Sequence, residues 1–223
     1  VNSGEYDWVL SEITQTDDYA LGAYRSSKTQ KLDEQTRKIF AGDDSFSIQL
    51  LEDKASNGYL QIQTARAFHD PAKMRRFVSD AAYEKIKASF PEKQIVFNRL
   101  YLNDVSVIAA KEESGKNILH VAVKSSFQRA VIEGGQAGLA DAVIRTAREI
   151  VVMERDKAAG AAKGSIYAHQ CPACGAPVAD SLDVKCGYCG SVLNSPKSEW
   201  IISDVIPESS YAAEIKGVSF TVH

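Results

Sequence analysis

Two short cysteine motifs constrain this chain more than any other feature of its sequence. They read "CPACGAP" and "KCGYCGS", with eleven residues between the second cysteine of the first pair and the first cysteine of the second. Two Cys-x2-Cys pairs at such a spacing are typical of a tetrahedral four-sulfur zinc site. A glycine follows each pair and permits the tight turn that aims both sulfurs at one point. The predicted zinc ligands are Cys171, Cys174, Cys186 and Cys189.

Two other chemistries are open to paired cysteines, namely two disulfides or a redox-active Cys-x2-Cys pair. The matched pairs and their glycines favour zinc over both. Four thiolates fill the tetrahedral shell and leave no position for water, so the predicted metal is structural. Thiolates must stay reduced in order to hold a metal, which favours a reducing compartment.

Composition and charge limit the other classes of function. Hydrophobic residues make up 44% of the 223 residues and charged residues 25%, which is ordinary for a soluble globular protein. A net charge of −3 provides no basic field for nucleic acid or anionic lipid. No apolar run approaches the roughly 18 residues that a membrane-spanning helix needs.

The first half of the chain predicts helices. Residues 14–45 are polar and are interpreted as a linker with one helix near 32–40. Apolar residues recur at helical spacing over 46–69. Asp70-Pro71 is a capping residue followed by a proline, which predicts a short second helix, and Ser79 caps another helix that ends at Pro91.

After Pro91 the apolar period changes from about 3.6 to 2, which indicates strands. We predict strands over 94–110 and 119–131, then a glycine-rich connection, a third strand over 143–154 and a fourth over 199–206. Helices followed by antiparallel strands predict an α+β fold, with helices packed on one face of a curved sheet. The cysteine motifs fall between the last two strands, as an insert in a hairpin that the metal must stabilise.

Several motifs carry a resemblance to a known family. "FSIQLLEDKASNGYLQIQTARAFHDPAKMRRFVSDAAYEKI" (46–86) resembles the opening helices of the Tim-forty-four-like family, which is named for a scaffold subunit of the mitochondrial inner-membrane protein translocase. "REIVVMERD" (148–156) and "SEWIISDVI" (198–206) resemble its last two strands. Bacterial relatives with a "CPxCGAP…CxYCGS" insert are the most similar form.

The resemblance implies a cone-like, cystatin or nuclear-transport-factor-two-like fold that encloses an apolar cavity. It also implies domain boundaries. These are an N-terminal segment and linker at 1–40, a Tim-forty-four-like α+β domain at 41–162 plus 197–206, a zinc-ribbon insert at 163–196 and a C-terminal tail at 207–223.

In function, the resemblance implies a non-enzymatic scaffold or binding module that takes a lipid or a hydrophobic protein segment. Members of the family are membrane-peripheral, so we expect the cytoplasmic face, with a tether to the membrane outside this sequence. The strongly basic amphipathic helices of the mitochondrial member have no equivalent here, which argues against direct membrane binding.

A nucleic-acid-binding zinc ribbon and an enzyme that uses the cavity are the alternatives. From Cys171 to Cys189 the insert has a net charge of −1 before thiolates are counted, the wrong sign for phosphate.

Residues 1–13 resemble residues 193–205. An offset of 192 residues aligns four identical pairs, including Trp8 with Trp200, and six conservative pairs. Because the second copy follows a zinc insert, the first copy predicts an earlier zinc module upstream of Val1. We therefore expect this sequence to be part of a longer protein.

Two groups of side chains are candidates for ligand contacts. Aromatic residues could line the cavity, although they could equally fill an ordinary core; they are Tyr59, Phe68, Phe77, Tyr83, Phe97, Tyr101, Phe127 and Trp200. A basic cluster could hold an anionic headgroup or an acidic partner, although a solvated helix face is its more ordinary interpretation; it consists of Lys73, Arg75 and Arg76.

Residues that could act as acids or bases are few. His69, His120 and His169 have no partner at ligand spacing and are interpreted as surface residues, with His169 as a substitute ligand if a cysteine were missing. Asp104 is the one carboxylate in an apolar strand, and it is interpreted as part of a bend or bulge rather than as a catalytic acid. No catalytic residue is therefore predicted.

Overall fold

A computed structural model of the chain describes residues 47–159, 170–178 and 183–211. The predicted repeat with Trp8, the helix near 32–40 and His169 lie outside these residues. Within the described part of the chain, two α-helices are followed by a five-stranded, antiparallel sheet. One short 3-10 helix lies between the two α-helices, and another follows the last strand. The predicted α+β class is confirmed.

Helix α1 spans Ile48–Phe68, close to the predicted range. Ser47 caps its start by accepting a hydrogen bond from the amide of Leu50 at 3.0 Å. It ends at His69, whose φ of 53° is left-handed. One face of α1 packs on the sheet, and its buried side chains include Leu51, Ala55, Tyr59, Ile62 and Ala65.

The two predicted capping residues both act as caps. Asp70 accepts a hydrogen bond from the amide of Ala72 at 3.1 Å, at the start of the 3-10 helix η1, Pro71–Met74. Ser79 caps helix α2, Asp80–Ala88. This helix ends before the predicted stop at Pro91, because Ser89 closes its last turn by donating to the carbonyl of Ile86.

The sheet has the strand order β1-β2-β4-β5, with β3 paired to β2 outside this path. All of its strand pairs are antiparallel. The strands are β1 Ile95–Glu113, β2 Lys116–Glu133, β3 Gln136–Leu139, β4 Arg145–Asp156 and β5 Ile201–Pro207.

The first hairpin is longer than predicted. The predicted strands 94–110 and 119–131 leave residues 111–118 between them, but only Ser114 and Gly115 form the turn, with φ of 52° and 77°. Two successive positive φ angles define a tight hairpin turn whose twist matches that of the flanking strands. The strands therefore remain paired up to the turn, from Glu113 opposite Lys116 onwards.

Strand β3 was not predicted, since its sequence was interpreted as a glycine-rich connection. Gly134 and Gly135 form a tight turn with φ of 56° and 78°, and the next four residues pair with β2. All four residues of β3 are exposed. A fully exposed strand needs no apolar alternation, so its sequence carried no strand signal.

The cysteine insert lies where the sequence placed it, between two paired strands. Glu154 in β4 faces Ile201 in β5, and the amide of Asp156 donates to the carbonyl of Pro196 at 2.8 Å. The insert therefore leaves and re-enters the sheet at neighbouring points. Neither of the two helices in the described part of the chain has the length and apolar character needed to cross a bilayer.

Candidate metal centre

The four cysteines lie in the insert, whose described residues 170–178 and 183–196 we call the ribbon. Its first half folds around Cys171. The amide of Cys171 donates to the carbonyl of Ala176 at 2.8 Å, and the amide of Gly175 donates to the carbonyl of Cys171 at 2.8 Å. Gly175 has a φ of 76°, a backbone conformation that favours glycine. This turn directs Cys171 and Cys174 to the same side.

The second half of the ribbon repeats this geometry. The amide of Cys186 donates to the carbonyl of Ser191 at 2.9 Å, and the amide of Gly190 donates to the carbonyl of Cys186 at 2.9 Å. Gly190 has a φ of 70°. The predicted role of the two glycines is confirmed, since each one permits a turn that L side chains rarely adopt.

The two halves bring all four sulfurs together. Their Sγ atoms lie within 4.8 Å of one another. The Sγ atoms of Cys171 and Cys189 are 3.7 Å apart, and those of Cys174 and Cys186 are 3.8 Å apart. A disulfide would need about 2.05 Å, and all four thiols are free. The arrangement can hold one metal ion and does not contain the two disulfides considered from the sequence.

The electrostatics of the cluster favour a cation at its centre. Hydrogen bonds from the Ser191 side chain and amide lower the pKa of the Cys189 thiol to about 6. A hydrogen bond from the amide of Ala176 favours the thiolate form of Cys174. Hydrogen bonds with Cys189 and the other two sulfurs, together with burial, outweigh this effect and raise the pKa of Cys174 to about 12. One thiolate therefore opposes the next, because like charges at this distance repel. A bound cation removes that repulsion.

The ribbon has little apolar interior of its own. Its buried cluster consists of Cys171, Cys186 and Leu193, with Val178 packed against it. Two of these residues are predicted metal ligands. Hydrophobic burial among the described residues of the ribbon is therefore small, which agrees with the prediction of an insert that depends on a metal for its stability.

A groove separates the ribbon from α1 and the start of β5. It is lined by residues of α1, of the segment between η1 and α2, of the ribbon and of the segment that leads into β5, including Lys54, Phe77, Leu193 and Trp200. Nζ of Lys54 lies 2.9 Å from Oε1 of Glu199, so the ion pair joins α1 to the segment that leads from the ribbon into β5. Trp200 is 8% exposed. The groove is thus apolar on one side and charged on the other.

Arg76 also lines this groove, next to the ribbon residue Gln170. Its side chain is 5% exposed, and its Nη2 donates to the carbonyl of Gln170, next to Cys171, at 3.4 Å. Burial lowers the pKa of the Arg76 guanidinium, while negative charge on Cys171, Asp183 and Glu199 opposes this shift. A buried guanidinium needs nearby negative charge to offset its loss of hydration.

Arg76 reaches the ribbon because its neighbours extend the sheet. Val78 forms a parallel bridge with Ile202. The amide of Ile202 donates to the carbonyl of Phe77 at 3.0 Å, and the amide of Ser79 donates to the carbonyl of Ile202 at 2.9 Å. These bonds hold the segment between η1 and α2 against β5, directly beside the point where the ribbon joins the sheet.

The basic cluster of the sequence does not act as one unit. Lys73 lies 3.8 Å from a carboxylate oxygen of Asp70 and over the Phe68 ring. Arg75 bonds Asp80 and stacks over a tyrosine ring. Arg76 was interpreted as part of a solvated face but is buried. Its burial depends on the ribbon, which is distant in sequence.

The aromatic cavity candidates lie in different surroundings. Phe77 and Trp200 line the groove. Tyr59 is buried in α1, where its hydroxyl donates to Oε2 of Glu149 at 2.6 Å. Phe68 and Tyr101 are 64% and 57% exposed. The described pocket therefore contains two of the eight candidates.

The remaining candidates are half-buried. Phe97 and Phe127 meet edge to face, with ring centroids 6.0 Å apart, across the β1–β2 pair. Tyr83 lies under the guanidinium of Arg75, 4.7 Å from the ring centroid. These contacts belong to the sheet and to α2, and they are separate from the groove.

The acid–base candidates also have structural partners. Asp104 accepts a hydrogen bond from Ser106 at 3.0 Å, and the β1–β2 register shifts beside it, so the predicted bulge is confirmed. His120 is half-buried, with Nδ1 2.5 Å from the hydroxyl of Tyr211, and differs from the predicted surface residue. His69 stacks on the ring of Phe90.

Sequence reasoning missed two residues that join the ribbon to the sheet. Asn194 is buried and its side chain donates to the carbonyl of Val78 at 3.3 Å, and Glu199 binds Lys54. Asn194 is one of the residues repeated near the N-terminus, as Asn2, which was the available signal. Comparison with protein-family models found no match and comparison with curated proteins found none either, so any functional conclusion rests on the geometry of the metal centre and the groove.

Proposed function

We propose that the chain is a non-catalytic binding module in which zinc holds the ribbon in place beside a ligand groove. The observation that carries this proposal is the shape of the sulfur cluster. Sulfurs at about 2.3 Å from a zinc ion form a tetrahedron with edges of about 3.8 Å. Two of the six Sγ–Sγ separations, 3.7 and 3.8 Å, match this edge length, and all six are within 4.8 Å.

The donor set supports zinc as the ion and a structural role for it. Four sulfur ligands in a tetrahedron are typical of zinc or of iron–sulfur chemistry. Catalytic zinc sites keep a position for water, whereas four cysteines occupy every position. The ion would stabilise the fold and take no part in a reaction. Cys171, Cys174, Cys186 and Cys189 would hold it.

The groove beside the ribbon is the site where a partner would bind. Phe77, Leu193 and Trp200 line the groove, where the small exposed parts of Leu193 and Trp200, 2% and 8%, would give a partner its apolar contact. Lys54 and Glu199 lie at its charged side. This chemistry suits an extended hydrophobic protein segment that carries polar groups at its edge. A lipid is the alternative hydrophobic ligand.

This function agrees with the resemblance to Tim-forty-four-like scaffold domains and their cone-like, nuclear-transport-factor-two-like fold. Within that proposal, the module acts at the cytoplasmic face of a membrane and a segment outside the described residues provides the tether. Four free thiols support a reducing compartment. The four-sulfur shell and the structural partners of Asp104 and His120 support a binding role over an enzymatic one.

Native mass spectrometry of the full chain, purified under reducing conditions, tests the proposal. We expect one zinc ion per chain, and a co-purified hydrophobic peptide or lipid that is lost in a Trp200→Ala variant. Tyr101→Ala is the matched control, since Tyr101 is an exposed aromatic residue outside the groove. A chain without metal, or tight binding to a nucleic-acid library at physiological salt, would overturn it.

A further inference from the structure

The strongest feature that the proposed function leaves unused is the buried guanidinium of Arg76. Only 5% of this residue is exposed, and its Nη1 has no hydrogen-bond partner among the described residues. Its Nη2 makes one long hydrogen bond, 3.4 Å, to the carbonyl of Gln170. A buried charge with so few hydrogen bonds requires compensation from a nearby opposite charge.

The negative groups near Arg76 come mostly from the ribbon. Cys171, Cys186 and Asp183 interact with it electrostatically, and so does Glu199. Glu199 already binds Lys54 at 2.9 Å, so its charge is shared. The remaining negative groups, Asp183 and the cysteine cluster, both lie in the ribbon.

A metal converts the cysteine cluster into a strong counter-charge. A divalent ion with four thiolates has a net charge of about −2. A metal-bound cluster therefore places negative charge beside the buried guanidinium of Arg76, whose Nη1 has no hydrogen-bond partner among the described residues and whose Nη2 bonds the carbonyl next to Cys171.

We propose that Arg76 is the electrostatic partner of the metal–thiolate centre and couples metal occupancy to docking of the ribbon against α1 and β5. The proposal rests on the metal centre of the proposed function and assigns a role that this function does not. Metal binding favours the docked ribbon, and by thermodynamic reciprocity the docked ribbon favours metal binding. The groove is then complete only in the metal-bound protein.

Trp200 reports docking directly, because it lines the groove and is 8% exposed. The chain has two tryptophans, so a Trp8→Phe background leaves Trp200 as the single indole. The experiment titrates the zinc-loaded full chain with a competing chelator under reducing conditions. Released zinc and Trp200 emission are measured in the same sample.

We expect zinc release to shift Trp200 emission to longer wavelength in this background. Arg76→Met should weaken zinc affinity about 10- to 100-fold, the usual effect of losing a partner of the ligand shell. It should also show the shifted emission while zinc is still bound. Arg148→Met is the matched control, since it removes the same charge from an exposed residue paired with Glu208 and should leave both readouts unchanged.

Two further variants separate the charge of Arg76 from its hydrogen bonding. They also test the proposal if Arg76→Met does not fold. Arg76→Lys retains the positive charge, whereas Arg76→Gln retains a donor for the Gln170 carbonyl without the charge. We expect the lysine variant to bind zinc more tightly than the glutamine variant. The reverse order, or affinities equal to that of Arg148→Met, would overturn the proposal. A parent chain that binds no zinc would instead refute the proposed function, so the two failures are distinguishable.

Discussion

The sheet and the ribbon belong to one chain, yet they are held together by different forces. In the sheet, β2 pairs with three other strands and its side chains Leu119, Val121 and Val123 are at most 1% exposed. In the ribbon, the buried cluster contains one leucine and two cysteines. Strand pairing and apolar burial stabilise the first region, whereas in the proposed function metal coordination stabilises the second.

This difference shows how a small insert can be rigid without a core. Each ordered residue costs about 1–2 kcal/mol of backbone entropy, and the ribbon buries too little apolar surface to offset that cost. Binding of a structural zinc ion provides about 10–16 kcal/mol in small peptides. The sheet needs no such ion, so the two regions should respond differently to the same perturbation.

Metal removal should have the largest effect and should separate the regions. With excess chelator, the amides of Cys171 and Cys186 should lose protection from hydrogen exchange, since their bonds to Ala176 and Ser191 form only in the folded ribbon. The amide of Val121, in the centre of the sheet, should keep its protection. Hydrogen-exchange mass spectrometry or NMR measures both.

A Cys186→Ser variant repeats this test without chelator. Serine lacks the soft thiolate, so zinc affinity should fall by orders of magnitude and the ribbon should exchange freely. Ser191→Ala is a milder control, because the hydroxyl of Ser191 contacts Sγ of Cys189 at 3.2 Å but is not a metal ligand. Ribbon amides that stay protected in the stripped protein would contradict the distinction between the regions.

The next largest effect is expected from a substitution in the core of the sheet, which should change the stability of the sheet and not the metal centre. Leu119 is fully buried in β2, so Leu119→Ala should lower the free energy of unfolding by about 2–5 kcal/mol. Zinc affinity should remain that of the parent, as long as the sheet is folded. Urea unfolding and chelator competition measure the two quantities. Val143→Ala, at an exposed position, should change stability by less than about 0.5 kcal/mol.

A smaller effect is expected where α1 meets β5. A Cβ added at Gly58 would lie 2.5 Å from Cδ1 of Ile202, so the helix approaches the strand as closely as glycine allows. For Gly58→Ala, overpacking of about 1–3 kcal/mol is offset by about 1 kcal/mol of helix propensity. Ile202→Val removes the clashing methyl group. The double variant should be more stable than the sum of the single changes predicts, and additive unfolding free energies would refute this account.

Local signals account for the features that the sequence predicted well. The cysteine spacing, the caps at Asp70 and Ser79 and the glycine turns act over fewer than about five residues, so they can be recognised without the rest of the fold. The position of the insert followed from the two apolar strands on either side of it. Each of these features is confirmed by the structure.

The features that were missed depend on distant contacts. Arg76 has the same sequence surroundings as Arg75, but it is buried and its hydrogen-bond partner Gln170 lies 94 positions away. Gly58 is an unremarkable helix residue until Ile202 packs against it. Strand β3 is exposed on both faces and is defined only by its pairing with β2. Helix and strand periodicity contains none of this information.

The smallest expected effect is a dependence of stability on pH that comes from His120 in the sheet. Burial, followed by the charge of Lys111, lowers the pKa of His120 below its ordinary value near 6.5. Between the lowered and the ordinary pKa, the unfolded chain binds a proton that the folded chain does not, so stability falls as the pH decreases through this window. The stability contribution of neutral His120 is fully present above about pH 6.5. Urea midpoints at pH 7.5 and 5.5 in excess zinc measure the slope, and His120→Gln should reduce it. An identical slope in the two proteins would contradict the assignment of this acid sensitivity to His120.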